Sequence, residues 1–136
     1  MNTSTLFFQA LCLGIGATIV MDIWLLILKI FKAPTLNFAF LGRWVGWIAH
    51  YSVGIIFALS FLFIVGSTWL DHPQFYSALL FGLITVLIPF FIMQPAMGSG
   101  FASSKTPHPF LNCLKSLLNH SVFGCGLYLT AKLFQI

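Results

Sequence analysis

Long apolar stretches, separated by short segments rich in proline and glycine, constrain this chain more than any other feature. Of its 136 residues, 60% are hydrophobic and 6% are charged. A soluble domain carries about a quarter charged residues, so most of the surface of this chain must face lipid. We therefore predict an all-α membrane protein, a single bundle of four transmembrane helices that takes up residues 1–136. The helices are expected at about residues 5–31, 44–67, 74–96 and 109–134.

One carboxylate interrupts the first apolar stretch. Asp22 is one of two acidic residues in the chain. Placing a carboxylate inside lipid costs about 2.5–3.5 kcal/mol on insertion scales. A partner must offset this cost, so we expect Asp22 to face another helix, and its partner is the best guide to function that the sequence offers.

Small and polar residues mark the faces through which membrane helices contact one another. At a spacing of four residues, Asp22, His50 and His120 each fall on such a stripe, the two histidines together with Gly54 and Gly124. At 1.5 Å per residue, the three ionisable side chains lie at a similar depth, about 10–17 Å from the membrane boundary near the 1–2 and 3–4 connections. We expect all three to face other helices.

Two further polar residues, Gln94 and Lys115, lie nearer that boundary. The third predicted helix, which carries Gln94, also contains Pro89 and Pro95, each of which removes a backbone donor. Transporters often build binding sites from such interrupted helices; the alternative is a kink that relieves packing. We expect the polar residues to surround a pocket that opens at this end of the bundle.

The sequence leaves three functions open for this constellation. The first is transport or binding of a small molecule or ion, or proton relay, by Asp22, His50, Gln94, Lys115 and His120. The second is a redox membrane protein in which the two histidines hold haem, or hold a metal ion together with Asp22. The third is an accessory or assembly subunit whose polar residues only fix the packing. No motif names a reaction, so an enzyme is not the first expectation.

The segment between the third and fourth helices faintly echoes a phosphate-binding loop. Ser104 replaces the glycine that precedes the lysine in that motif, and a membrane helix precedes the segment instead of a strand. A looser anion site that uses Lys105, Thr106 and the start of the fourth helix stays open. The alternative is a flexible loop that ends at Pro109.

Positive charge indicates the orientation in the membrane. The 1–2 and 3–4 connections and the adjacent helix ends carry five of the six basic residues, Lys29, Lys32, Arg43, Lys105 and Lys115. The positive-inside rule then predicts that both connections are cytoplasmic and both termini lie outside. There is no basic stripe, so we expect no nucleic-acid partner. Four short helices rarely enclose a pathway alone, so besides the lipid bilayer we expect a second copy or a membrane partner.

The two halves of the chain resemble each other weakly. Phe7, Ala10, Leu11 and Gly14 recur about half the chain later as Phe75, Ala78, Leu79 and Gly82, and His50, Gly54 and Leu59 recur as His120, Gly124 and Leu129. We predict a duplicated helical hairpin with a pseudo-twofold axis along the membrane normal. Asp22 has no acidic counterpart, so the site is expected to be asymmetric.

Several motifs also carry a resemblance to a known family. They are Met21-Asp22-x-Trp24, Pro34-Thr35-Leu36-Asn37, Gly42-Arg43-Trp44, Gly46-Trp47-x-x-His50-Tyr51, Pro89-Phe90-Phe91-x-Met93-Gln94-Pro95-Ala96, Ser104-Lys105-Thr106-Pro107 and His120-x-x-Phe123-Gly124-x-Gly126-Leu127-Tyr128. Along nearly its whole length the chain resembles a small bacterial family of four-helix inner-membrane proteins that is catalogued only as a domain of unknown function. The resemblance implies an inner-membrane location, but it supplies no activity that could be carried over to this chain. Members carry a longer stretch between the Gly-Arg-Trp and Gly-Trp-x-x-His motifs, which puts any function of that stretch in doubt here.

Overall fold

Four long antiparallel helices make up most of the described chain. The computed structural model describes residues 2–31 and 43–134. The helices are α1 (Thr3–Ile30), α2 (Arg43–Val65), α3 (Phe75–Ala96) and α4 (Pro109–Phe134). Their ends lie within two residues of those predicted, and the number of long helices is confirmed. Lys32, the motif at residues 34–37 and the side chain of Arg43 lie outside the described residues.

Three of the helices, α1, α2 from Trp44 onward and α3, are long and apolar enough to cross a membrane. Large apolar side chains on their outer faces are exposed, for example Phe63 at 87% and Trp44 at 80%. A soluble monomer rarely exposes so much contiguous apolar surface. The fourth helix is also long, but Lys115 and other polar residues in its first half lower its hydropathy, so its crossing stays a prediction.

Proline and glycine set several helix ends, as predicted. Helix α2 ends at Gly66, which adopts a φ of 86° and whose N–H donates to the Leu62 carbonyl at 2.9 Å. A left-handed residue of this kind closes a helix with little strain only when it is glycine. Helix α4 begins at Pro109, in the first turn, where a missing N–H costs nothing.

Helix α3 changes its geometry in the middle. It is α-helical over Phe75–Thr85, π-helical over Pro89–Met93 and α-helical again over Gln94–Ala96. Because Pro89 has no N–H, the Thr85 carbonyl loses its usual partner four residues on. The N–H of Gln94 then donates to the Pro89 carbonyl, five residues back, which is the π-helical pattern. The predicted interruption of this helix is therefore present.

The helices do not contact one another equally. Helix α1 packs along α2 and α4, and α4 packs along α3, whereas α2 and α3 touch at few points. Leu13, Phe61, Leu62 and Leu127 are fully buried and form the centre of the core. The bundle is therefore held mainly through the α1–α4 contact and the two hairpins.

Glycine pairs bring the helices of each hairpin into close contact. In the first hairpin, a Cβ added to Gly14 would lie 2.6 Å from the Ile55 Cα and 2.9 Å from the Gly54 carbonyl oxygen. In the second hairpin, a Cβ added to Gly124 would lie 2.6 Å from the Ala78 carbonyl oxygen, and one added to Gly82 would lie 2.9 Å from the Gly124 Cα. Only glycine permits such close approach of two backbones. These contacts fix which side chains of α1 meet α2 and which of α3 meet α4.

Candidate functional site

The Asp22 carboxylate accepts hydrogen bonds from two adjacent residues of α2. Its Oδ1 lies 2.8 Å from His50 Nε2, and its Oδ2 accepts a hydrogen bond from the Tyr51 hydroxyl at 2.7 Å. If the carboxylate is ionised it can only accept, so His50 carries its proton on Nε2. The two α2 donors therefore supply the partner that an apolar helix requires for Asp22.

This Asp22–His50–Tyr51 cluster is only partly covered. The accessible fraction of the side chain is 20% for Asp22 and 9% for His50. The Trp47 ring stacks on Tyr51 with ring centroids 6.0 Å apart and meets His50 edge-on at 6.3 Å. The tryptophan therefore covers one side of the donors, while the carboxylate keeps some access to its surroundings.

His120 has a different partner, on α3. The Thr85 hydroxyl donates to the Gly82 carbonyl at 2.7 Å and lies 2.9 Å from His120 Nδ1. A threonine hydroxyl has a single proton, and the carbonyl can only accept, so the bond between Thr85 and His120 requires the ring to donate from Nδ1. This assignment leaves the lone pair of neutral His120 on Nε2.

Polar contacts continue from His120 along α4 to the 3–4 connection. One turn earlier, Ser116 lies 3.5 Å from Gln94 Nε2, at the limit of a hydrogen bond. One further turn earlier, Asn112 Nδ2 donates to the Thr106 hydroxyl at 2.9 Å. Together with Thr85–His120, these pairs form a polar seam between α3 and α4 that runs from the 3–4 connection into the bundle.

Gln94 belongs to this seam, and Lys115 lies beside it. The Oε1 atom of Gln94 is buried, and no donor of the described chain bonds to it. Lys115 is half-buried on the turn of α4 that also carries Ser116. The structure thus places Gln94 in contact with α4, at the end of the bundle where the sequence predicts it.

The structure brings together only part of the predicted constellation. Asp22 and His50 form one group, and His120 belongs to another with Thr85. Among the residues described, no three His, Cys, Asp or Glu side chains lie close enough to hold a metal ion. The metal set of Asp22, His50 and His120 is therefore not assembled in this arrangement. Residue spacing predicts a similar depth for the three residues, but packing assigns them to different helix pairs.

The haem hypothesis needs both histidines to point at one iron. His50 Nε2 is occupied by Asp22, and the ring of Phe57, a residue of α2, lies 6.2 Å from the His120 ring. His120 Nε2 has the lone pair that an iron ligand requires, whereas His50 would first have to leave Asp22. The geometry thus fits one axial ligand better than two.

Most donors of the proposed anion loop are already used. The N–H groups of Ser104, Lys105 and Thr106 donate to carbonyls of the same loop, and the Thr106 hydroxyl donates to the Ser103 carbonyl at 2.6 Å. The Lys105 side chain is exposed. The loop therefore offers an ammonium group and few of the backbone donors that an anion site would use.

Sequence reasoning missed three partners in this region. They are Tyr51, Thr85 and the Trp24–Asn119 pair, in which the indole N–H donates to Asn119 Oδ1 at 3.0 Å and joins α1 to α4. Tyr51 directly follows His50, and Thr85 lies four residues before Pro89. A search for hydroxyl, amide and indole groups within one turn of each ionisable residue would have found Tyr51, Trp24 and Asn119, whereas Thr85 carries no such signal because no ionisable residue lies near it in the sequence.

Comparison with models of known families shows to which family the chain belongs. The model of one family, described as protein of unknown function (DUF2938), matches residues 11–46 and 45–134. The chain belongs to DUF2938. The predicted membership in an uncharacterised family is therefore confirmed. The two matched segments of this DUF2938 chain overlap at residues 45–46, where the Gly-Trp-x-x-His motif begins directly after the Gly-Arg-Trp motif and where a longer stretch is expected in other members. No curated protein and no solved structure matches it.

Proposed function

We propose that this chain is a small membrane transport or ligand-binding protein that takes up a proton or a small polar ligand at the Asp22–His50–Tyr51 cluster. One observation carries the proposal: a carboxylate within an apolar helix is bonded by two donors of the next helix and still keeps a fifth of its side chain accessible. Ionisable groups within membrane helices commonly mark ion and substrate pathways.

The chemistry of the cluster suits proton exchange. A proton added to Asp22 weakens its attraction for His50, and a proton added to His50 strengthens it, so the charge of the pair controls how firmly α1 and α2 are joined. A ligand with a donor group would compete with Tyr51 for the carboxylate. Either event changes a contact between two helices, as a transport cycle requires.

The polar seam between α3 and α4 is a second polar group, which leads from the 3–4 connection to His120 and is separate from the Asp22–His50–Tyr51 cluster. Its pairs lie one helical turn apart along α4 and end at His120. We propose that the seam serves as the polar route into the bundle, with Gln94 and Lys115 near its entrance. The charge distribution favours a cytoplasmic entrance, with both termini outside and α4 as the fourth membrane crossing.

The glycine contacts support the duplicated hairpin. Gly14 and Gly54 in the first hairpin correspond to Gly82 and Gly124 in the second, and both pairs lie at close helix contacts. We propose that the two hairpins arose from one ancestor, and that this DUF2938 member works as a homo-oligomer or with a membrane partner in the bacterial inner membrane.

A second candidate is an assembly subunit in which the polar residues only hold helices together. The specific observation in its favour is that both oxygens of Asp22 already have partners within the chain. A structural clamp needs nothing more, whereas a binding site must exchange one of these partners for its ligand.

A ligand screen on two acidic variants separates these candidates. Purified wild-type protein, Asp22→Asn and Asp71→Asn are tested by thermal unfolding against polar metabolites, amines, carboxylates and inorganic cations. The proposal predicts that Asp22→Asn remains folded and that at least one compound raises the midpoint of unfolding in wild type and Asp71→Asn but not in Asp22→Asn.

Asp71→Asn is the matched control because it removes the other carboxylate of the chain. If Asp22→Asn unfolds under conditions where the other two proteins are stable, the second candidate is correct, and Asp22 has a structural role. A screen in which no compound gives a shift that depends on Asp22 contradicts the proposed binding site.

A further inference from the structure

The two oxygens of the Asp22 carboxylate are held by donors of different kinds. His50 Nε2 lies 2.8 Å from Oδ1, and the Tyr51 hydroxyl donates to Oδ2 at 2.7 Å. Within the described chain, His50 is the one basic side chain at ion-pair distance from Asp22. The Oδ2 oxygen is therefore bonded by an uncharged donor alone.

The uncharged donor at Oδ2 determines which ligands gain by replacing it. A ligand hydroxyl that displaces Tyr51 exchanges one O–H donor for another, so the number and kind of hydrogen bonds stay the same. An ammonium group adds the attraction between two opposite unit charges in contact, at about 3–4 Å. A positively charged donor can therefore displace the tyrosine hydroxyl with a net gain, whereas a neutral donor cannot.

The Asp22 side chain can be reached from outside the protein. Its accessible fraction is 20%, more than twice that of His50. A small ligand can therefore approach Asp22 without a prior separation of α1 from α2.

Trp47 adds a surface that suits an organic cation. Its side chain is half-exposed, and its ring lies at 26° to the Tyr51 ring with centroids 6.0 Å apart. The face of a tryptophan ring attracts cations more strongly than that of tyrosine or phenylalanine. Because Trp47 stacks on the residue that holds Oδ2, a ligand that takes the place of the Tyr51 hydroxyl has an exposed aromatic ring beside it.

The lysine on the same stripe of α1 lies too far away to reverse this preference. Lys29 follows Asp22 by seven residues, which is about 10 Å along the helix, and its side chain is exposed. Coulomb energy falls inversely with distance, and salt screens exposed charges over about 10 Å. For a cation in contact with Asp22, the attraction therefore exceeds the repulsion by Lys29.

We propose that the ligand of the Asp22–His50–Tyr51 cluster is an organic ammonium ion, such as a primary amine, which replaces Tyr51 as the donor to Asp22 Oδ2 and packs against Trp47. The inference rests on the proposed function, in which the ligand is defined only as small and polar. A neutral alcohol gains little over Tyr51, and a carboxylate is repelled by Asp22. This selectivity requires a neutral His50, so that the cluster carries one negative charge.

Butylamine, 1-butanol and butyrate test the inference, because they share a short alkyl chain and differ in charge. Full-length protein labelled with ¹⁵N at histidine is titrated with each compound in uncharged detergent micelles at constant pH, and the side-chain resonances of His50 are followed by NMR. Those of His120, which bonds to Thr85, are the internal control. We expect butylamine to shift the His50 resonances with a dissociation constant at least about tenfold below that of 1-butanol, and butyrate to give no saturable shift.

Two substitutions at one hydrogen bond should act in opposite directions. Tyr51→Phe removes the competing donor and should tighten butylamine binding about two- to tenfold, whereas Asp22→Asn removes the charge and should weaken it about tenfold or more. A purely structural role of the Tyr51–Asp22 bond gives no such opposition.

The aromatic contact has its own pair of variants, which also serve if Asp22→Asn fails to fold. Trp47→Leu should weaken butylamine binding about two- to fivefold. Trp44→Leu is the matched control, since Trp44 is an exposed tryptophan of the same helix, and it should leave the dissociation constant unchanged.

Equal affinity for butylamine and 1-butanol, or a Tyr51→Phe variant that binds butylamine no more tightly than wild type, would overturn the inference. If the alcohol or the carboxylate binds best and needs Asp22, the ammonium ligand is wrong while the proposed binding function stands. If no compound of any charge, including those of the wider screen, binds in a way that depends on Asp22, the proposed function fails as well.

Discussion

The hydroxyl of Tyr51 donates to Asp22 Oδ2 across 2.7 Å, joining α2 to α1, two of the helices that are apolar enough to cross a membrane. The bond complements the one from His50 to the other oxygen, so a single carboxylate is held by two neighbouring residues of one helix. Two bonds fix the orientation of a carboxylate, whereas one leaves it free to rotate.

Replacing Tyr51 with phenylalanine removes this bond and keeps the ring that stacks on Trp47. We expect Tyr51→Phe to lower the free energy of unfolding by about 0.5–1.5 kcal/mol, the range for hydrogen bonds between membrane helices. Reversible unfolding in mixed micelles measures the change. Tyr76→Phe is the control, since Tyr76 is 77% exposed, and an equal loss in both variants would show that the Tyr51 bond contributes nothing.

The close contact at Gly14 predicts a large effect from one methyl group. A Cβ at this position would lie 2.6 Å from the Ile55 Cα, so α1 and α2 must separate to admit alanine. We expect Gly14→Ala to cost about 1–3 kcal/mol, as overpacking usually does, and to weaken the contact of Asp22 with α2. The unfolding midpoint is compared with that of Ser52→Ala, an exposed change on α2; similar midpoints would refute the tight contact.

The Thr85–His120 contact predicts the tautomer of the ring. NMR of protein labelled with ¹⁵N at histidine should show His120 protonated on Nδ1, because the Thr85 hydroxyl donates its single proton to the Gly82 carbonyl. In Thr85→Val the ring loses this acceptor, and we expect the His120 nitrogen resonances to shift while those of His50 stay in place. A proton on Nε2 alone in the wild-type protein would contradict the assignment.

Helix positions were largely predictable because their signals are local. Pro109 and the glycine after Val65 determine helix ends through the backbone of a few residues, and the structure follows them. The change at Pro89 was predictable as a lost hydrogen bond. Its π-helical form was not, since it depends on which carbonyl the following N–H groups reach when α3 packs on α4.

The partners of the ionisable residues were only half predictable. The stripes of small and polar residues and the similar depths predicted that Asp22 contacts a histidine. Both signals fit His50 and His120 equally well. The choice depends on tertiary packing: the close contact of Gly14 with α2 accompanies the Asp22–His50 bond, and that of Gly82 with α4 accompanies the Thr85–His120 bond, while Gly126 brings α4 equally close to α1 at Ala17. Tyr51 was missed because residues four apart lie on one stripe of a helix, and Tyr51 lies next to the stripe that carries His50. A carboxylate has two oxygens, so Asp22 can accept hydrogen bonds from both residues.

The sparse contact between α2 and α3 has a mechanical consequence. In a bundle of four helices, the least-packed seam is the one that separates at the lowest cost, and here it divides the two hairpins while α1 and α4 stay joined. The α1–α4 contact would thus act as a hinge, and α2 and α3 are the helices that would move apart. Separation of α2 from α3 would therefore open the bundle along its side and not at either end.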